Sequence, residues 1–273
     1  MCKLFVTDAD GSLLDSNNKI SEANINAINE LREKGVIYTI ATGRMFSSIL
    51  PYALELRVNA PVICFNGALI KDIYTKKVYY YNPIQPDDAI EVIDVLKSSG
   101  YQVNLYIDDK LVVEEMNERV EWYLSFNTVE VDAVGDLAEC IKNTGKGTAK
   151  IYAIGDIKNP APVDPEVYDK LSKIVSVSTS GGGHLELNAK GVSKGNALKT
   201  LANMYNIKRE LVAAVGDNLN DLSMIEYAGF GIAMANAPEL VKIKADFVTK
   251  SNNEDGIAFA INRIFAKQQI MAV

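Results

Sequence analysis

Apolar and polar positions along this chain fall into blocks whose spacing predicts a parallel α/β core. Residues 4–6 form a short apolar run that reads as a buried strand, and Gly11 gives it a sharp exit. Ser21 stands where a helix N-cap is needed, Ile25, Ile28 and Leu31 recur at helical spacing, and Gly35 supplies the stop. Residues 36–41 predict a second buried strand, ending at Thr42-Gly43-Arg44. A helix over about 45–56 and an apolar strand over 61–65 follow. Strands alternating with helices in this way build a parallel sheet with helices on both faces.

The pattern then changes. Residues 69–73 and 78–81 read as a hairpin across Tyr74-Thr75-Lys76-Lys77. An amphipathic helix is expected over 87–99, a second hairpin over 102–107 and 110–114, and a strand over 148–154. A helix near 165–173 and strands near Val175 and Leu185 complete an α+β insertion, bounded by short polar linkers at Asn82-Pro83 and 188–191. Alternation resumes at Ser193 with a helix over 194–205, strands over 211–216, 231–234 and 247–249, and a last helix over 256–266. The expected fold class is therefore α/β: a discontinuous, Rossmann-like core from residues 1–82 and 189–273, interrupted by an α+β domain over 83–188. No internal repeat or low-complexity segment is visible.

Composition narrows the chemistry. At 273 residues, 48% apolar and 23% charged, the chain is long enough to bury a sizeable core without staples. Cys2, Cys64 and Cys140 offer neither a disulfide framework nor a CxxC zinc pattern, which fits a reducing cytoplasm. Lys3 is followed by too few apolar residues for a secretory signal, and no run approaches the ~20 residues that span a bilayer. A formal charge of −7 argues against nucleic acid as a partner. Nothing in the pattern specifies an oligomeric state. His184 is the only histidine, so zinc sites with several histidines are excluded and any histidine triad would need this residue. It follows Gly181-Gly182-Gly183 and is expected to open a strand at a solvent-exposed or substrate-facing position, leaving acid–base work to carboxylates.

Those carboxylates stand at strand ends. Strand periodicity sends Asp8 and Asp10 to one side, where two anions need a metal, a cation or a shared proton. The pair suits a carboxylate nucleophile beside a carboxylic general acid, with a polar strand-end turn as the less favoured alternative. An EF-hand is excluded, because Leu13 and Lys19 stand where that loop needs Gly and Glu. Open parallel sheets bind ligands beyond the carboxyl ends of their strands, and Thr42-Gly43-Arg44 and residues 216–221 (GDNLND) stand at the same edge. Gly191-Val192-Ser193-Lys194-Gly195 lies at a predicted helix N-terminus, which favours an anion. One edge thus offers both phosphate-binding and cation-binding groups. Gly145-Lys146-Gly147-Thr148 lacks P-loop spacing and reads as a turn, as does the Gly181–Gly183 run.

In combination, Asp8-Ala9-Asp10-Gly11-Ser12-Leu13-Leu14, Thr42-Gly43-Arg44, Lys194 and the GDNLND segment resemble the haloacid dehalogenase-like hydrolase superfamily. More narrowly they resemble its Cof-type phosphatases, which carry a large α/β cap domain after the third core strand. The resemblance covers essentially the whole chain. Ser12 replaces the threonine of the usual first motif and keeps a hydroxyl, and Asn66-Gly67-Ala68 is similar to the family's Asn-Gly segment beside the substrate entrance. The resemblance implies that Asp8 attacks phosphorus, and that Asp10 protonates the leaving group and then activates water. Mg²⁺ would be held by Asp8, the Asp10 backbone carbonyl and Asp217, with Asp221 close behind. Thr42 and Lys194 would bind phosphoryl oxygens, helped by Gly43 and Asn220, with Arg44, Asn66 and Gly67 near the substrate. The implied substrate is a small phosphorylated metabolite, most often a sugar phosphate. The leaving group would be chosen by cap residues, with Tyr106, Glu114, Trp122 and His184 as unranked candidates. Phosphoryl transfer between sugar hydroxyls, as in a phosphomutase, and a non-catalytic metabolite-binding regulator are the alternatives.

Overall fold

The computed structural model describes residues 2–127 and 129–270, the side chains of Ser180 and 265–270 excepted. The chain opens as β1 (Leu4–Thr7), α1 (Glu22–Glu33), β2 (Ile37–Ile40), α2 (Phe46–Glu55) and β3 (Val62–Cys64). It continues through β4 (Leu69–Lys71), β5 (Val78–Tyr81), α3 (Pro86–Ser98), β6 (Gln102–Ile107), β7 (Lys110–Val113), α4 (Glu118–Leu124) and β8 (Val131–Ala133). Then come α5 (Leu137–Thr144), β9 (Ile151–Ile154), α6 (Pro165–Ile174), β10 (Ser176–Ser180) and β11 (His184–Asn188). The last third holds α7 (Lys194–Met204), β12 (Val212–Gly216), α8 (Leu222–Tyr227), β13 (Phe230–Ala233), α9 (Glu239–Lys242), β14 (Phe247–Val248) and α10 (Gly256–Ile270). Two compact units result, one from Met1–Arg44, Ile49–Tyr79 and Ser193–Val273, the other from Met45–Ser48 and Tyr80–Val192.

The first unit is built on a parallel sheet of order β14-β13-β12-β1-β2. Thr7 pairs with Val215 on one side and Ile40 on the other, so β1 and β2 end level and β12 runs one residue further. A bridge between Ala41 and Ile63 joins β3 to the end of β2, and β3 also leads a small sheet of order β3-β4-β5. Every residue of β1 and β12 is buried, as expected of strands covered on both faces. Ser21 caps α1 by accepting the Asn24 N–H at 3.2 Å, which lets Ala27, Ile28 and Leu31 face the interior. Asn24 in turn accepts from the Ala258 N–H at 2.9 Å, tying α1 to α10.

The second unit is a six-stranded sheet of order β10-β11-β9-β6-β7-β8, antiparallel except for β7 beside β8. Its strands alternate. Val103, Leu105, Ile151, Leu185 and Leu187 join Val92, Leu96, Ile141 and Leu171 from α3, α5 and α6 in one core. Asn104, Tyr106, Tyr152 and Glu186 stand at the intervening positions.

Several local expectations change. Helices α4 and α5 and strand β8 form where none was expected; α4 and α5 start at Asn117 and Asp136, whose side chains accept the first free N–H groups. Their brevity hides them from a periodicity argument. The strand expected from Thr148 starts only at Ile151, because Thr148 exchanges both backbone hydrogen bonds with Ile84 in a separate bridge. The last helix runs on to Ile270. His184 does open a strand, but it is buried, not solvent-exposed. Its Nδ1 accepts the Gly155 N–H at 3.1 Å, and the Trp122 and Tyr152 rings lie 5.0 and 6.1 Å away. Burial lowers its pKa below the ordinary histidine value, and nearby Arg119 adds to the effect. Cys2, Cys64 and Cys140 form no disulfide, and no helix among the described residues is long and apolar enough to cross a membrane.

Candidate active site

Four segments of the first unit converge at the carboxyl edge of its parallel sheet. Asp8 leaves β1 with its N–H still on the Val215 carbonyl at 2.8 Å, so the ladder fixes where its side chain starts. Gly216 ends β12 and is followed directly by Asp217. Lys194 is the first residue of α7, whose N-cap Ser193 accepts the Asn196 N–H at 3.1 Å. The chain runs to one side of β1 through β2 and returns on the other through β12, which makes this edge a topological switch point.

The Lys194 ammonium is 1% exposed and lies 2.5 Å from Asp8 Oδ1 and 2.6 Å from Asp221 Oδ1. Asp221 is wholly enclosed and spends its other oxygen on the N–H groups of Asp217 and Asn218, at 2.9 and 3.0 Å. Asp217 accepts from the Ser12 hydroxyl at 2.8 Å. Asp8, Asp217 and Asp221 each present an oxygen within 4.8 Å of the others, an arrangement that suits a cation. Three carboxylates thus cluster around one ammonium, which contacts two of them. Burial pushes the Asp8 pKa well above the carboxylate range, and Asp221 adds to it more than Lys194 takes away. Burial and Asp221 likewise raise Asp217 to about 6, against the Ser12 hydrogen bond. Burial opposes the Lys194 charge, but Asp221 and Asp8 outweigh it and hold the ammonium protonated above its ordinary range.

Asp10 stands apart from this group. Beyond Thr7 the chain turns, Asp10 bridging only to Leu14, and its half-exposed carboxylate takes both arms of the Arg44 guanidinium. Arg44 Nε donates to Asp10 Oδ2 at 2.8 Å; the second arm reaches Oδ1 and also Asn18 Oδ1, and the Tyr52 ring lies beneath the guanidinium at 5.5 Å. Thr42 is buried at the end of β2, and its hydroxyl accepts the Arg44 N–H at 3.0 Å. Asn220 donates to Asn66 at 3.0 Å. The predicted residues thus fall into an inner group (Asp8, Lys194, Asp217, Asp221), an outer pair (Asp10, Arg44), and the Thr42, Gly43, Asn66, Gly67 and Asn220 turns.

Close packing dictates the glycines here. Gly11 has φ +79°, and a Cβ on it would fall 2.4 Å from Asp217 Oδ2. Sequence reasoning missed the residues that hold this loop from behind. Asn236 donates to the Gly11 carbonyl at 2.8 Å, Asn252 to the Leu14 carbonyl at 2.9 Å, and Asn253 accepts from the Ser16 N–H at 3.0 Å. Only the Ser12 hydroxyl carried a signal, through its place in the first motif.

Comparison with known proteins finds relatives over nearly the whole chain. A profile of the haloacid dehalogenase-like hydrolases matches residues 5–261. Phosphatase YwpJ of Bacillus subtilis is 30% identical over 285 residues, covering 96% of this chain and 99% of the relative. The pyridoxal phosphate phosphatase YbhA of Escherichia coli is 28% identical, over 94% of this chain and 96% of its own. A haloacid dehalogenase-like hydrolase structure from Bacteroides thetaiotaomicron superposes with a TM-score of 0.85 at 32% identity, covering 97% of this chain and all of its own.

Proposed function

Since the chain belongs to the haloacid dehalogenase-like hydrolase family, we propose that it is a cytoplasmic, Mg²⁺-dependent phosphatase working through an aspartyl-phosphate on Asp8. Its substrates are small phosphorylated metabolites, sugar phosphates above all. The observation that carries this reading is the buried Lys194 bridging Asp8 and Asp221, with Asp217 in the same carboxylate group. The names of relatives such as the pyridoxal phosphate phosphatase support the substrate class. The second unit is the cap that selects the leaving group.

The donor set fits a hard divalent cation, because three clustered carboxylates with one ammonium leave negative charge uncompensated. Asp8, the Asp10 carbonyl and Asp217 would hold the ion, which when bound neutralises charge on the transferring phosphoryl group. Lys194 and Thr42 hold phosphoryl oxygens, with Gly43 and Asn220 beside them. An Asp8 carboxylate oxygen attacks phosphorus, and the bond to the leaving oxygen breaks as Asp10, in its carboxylic acid form with one oxygen released from Arg44, gives that oxygen its proton and becomes a carboxylate. Asp10 then takes a proton from water, whose oxygen attacks phosphorus and releases Asp8 and inorganic phosphate.

Phosphate release from a panel of phosphomonoesters, with and without Mg²⁺, tests the proposal. Metal-dependent release that Asp8→Asn abolishes is expected. An isomeric phosphate ester in place of free phosphate would show a mutase, and full activity of Asp8→Asn would remove Asp8 as nucleophile.

A further inference from the structure

Three consecutive residues between β3 and β4 take left-handed backbone: Phe65 (φ 51°), Asn66 (φ 56°) and Gly67 (φ 110°). Glycine adopts such values freely, but an aromatic residue rarely does, and two non-glycine residues in a row make a strained turn. Its surroundings hold it in place. The Phe65 N–H donates to the Arg44 carbonyl and the Asn66 N–H to the Thr42 carbonyl, each at 3.0 Å. Gly67 lies so close to the start of α7 that a Cβ there would fall 2.3 Å from the Ser193 carbonyl oxygen. The buried Asn66 side chain accepts from Asn220 Nδ2 at 3.0 Å. The same oxygen lies 2.9 Å from where a Cβ on Gly43 would stand, so it is wedged between two loops. Backbone and side chain of one turn therefore reach Thr42, Gly43, Asn220 and the residue before Lys194.

We propose that Phe65-Asn66-Gly67 is a positioning turn for the phosphate-binding groups, with Asn66 acting through Asn220 and not on the reacting atoms. The inference rests on the phosphatase reading of this site. Strain of this kind persists where the surrounding structure enforces it, and here the enforcing contacts come from Thr42, Gly43 and Asn220, assigned to phosphate, and from Arg44 and Ser193 next to such groups in sequence. The competing account is local: asparagine tolerates positive φ better than most residues and serves the turn only by its backbone. Asn66→Gly separates the two, because glycine keeps the backbone and removes the carboxamide.

The probe is inorganic phosphate, titrated calorimetrically into the full-length protein with Mg²⁺ present, with thermal unfolding and steady-state kinetics alongside. Asn66→Gly is expected to stay folded, with Tm lowered by no more than a few degrees, while phosphate affinity falls roughly tenfold and KM for a phosphomonoester rises in step. Asn220→Ala should lose a similar factor, and the double variant should bind no more weakly than the weaker single one, because both substitutions break one contact. Phosphate binding by Asn66→Gly within twofold of wild type, or losses that multiply in the double variant, would overturn the positioning role while leaving the phosphatase reading intact. A wild-type protein that neither binds phosphate nor hydrolyses any phosphomonoester would overturn that reading and this inference with it.

Discussion

Replacing Lys194 with methionine tests the electrostatic account of the site most directly. Methionine matches the length and apolar stem of lysine, so packing is kept and the charge is lost. The substitution leaves Asp8 and Asp221, both buried, without the ammonium that each contacts. Removing one partner of a buried ion pair costs about 3–5 kcal/mol. In a chain of this size about 1 kcal/mol moves Tm by ~2–4 °C, so a fall of roughly 6–20 °C is expected at pH 7.5 without metal. The pH dependence has a definite sign. Burial and Asp221 already raise the folded pKa of Asp8 above its ordinary value, and loss of Lys194 raises it further. A carboxyl raised on folding contributes stability that is fully present below its unfolded pKa and is lost as pH rises through the folded value. The deficit of Lys194→Met should therefore shrink as pH falls toward 5. Added Mg²⁺ should recover part of the deficit at pH 7.5 by supplying the missing positive charge. Calorimetry is the assay of choice, because the only tryptophan, Trp122, belongs to the second unit. A Tm within 2 °C of wild type, or an equal deficit at pH 5 and pH 7.5, would refute this charge balance.

Further consequences can be checked separately. Gly11→Ala would drive a Cβ to 2.4 Å from Asp217 Oδ2 in left-handed backbone, and should weaken Mg²⁺ activation at least about tenfold while lowering stability by about 1–2 kcal/mol; unchanged Mg²⁺ titrations would contradict the packing argument. Arg44→Lys keeps a cation but loses the fork that takes both Asp10 oxygens, and should lower kcat for alkyl phosphates more than for aryl phosphates, whose leaving groups need less protonation. Equal losses on both would dissociate Arg44 from the acid. His184, with its pKa lowered by burial and then by Arg119, contributes stability present above the ordinary histidine pKa and lost as pH falls through the folded value. His184→Gln should flatten the acid limb of stability followed by Trp122 fluorescence, whereas an unchanged limb would assign it to other groups.

What the sequence reveals and what it hides divides along a physical line. Asp8, Lys194 and Asp217 were legible because each is announced by its own neighbourhood: an apolar run before the two aspartates, a serine cap before the lysine. The parallel-sheet rule then brings those ends to one edge without any knowledge of tertiary contacts. Asp10 shows where that reasoning stops. Period-two alternation would place its carboxylate beside that of Asp8, but the strand ends at Thr7 and the following turn carries Asp10 to Arg44. Asp8 meets Lys194 and Asp10 meets Arg44, partners 186 and 34 residues away respectively, which no local pattern records. His184 repeats the lesson, since its burial involves Trp122 on a seven-residue helix too short to announce itself. The Phe65-Asn66-Gly67 turn carries it furthest. Asn-Gly in sequence suggests a turn, yet the positive φ of Phe65 runs against the preference of its own side chain, so the conformation must be imposed by its contacts with the Thr42 and Ser193 segments. Local preference therefore predicts the scaffold well and the site unevenly, failing where long-range contacts have overridden it to set the geometry of the groups proposed to bind phosphate.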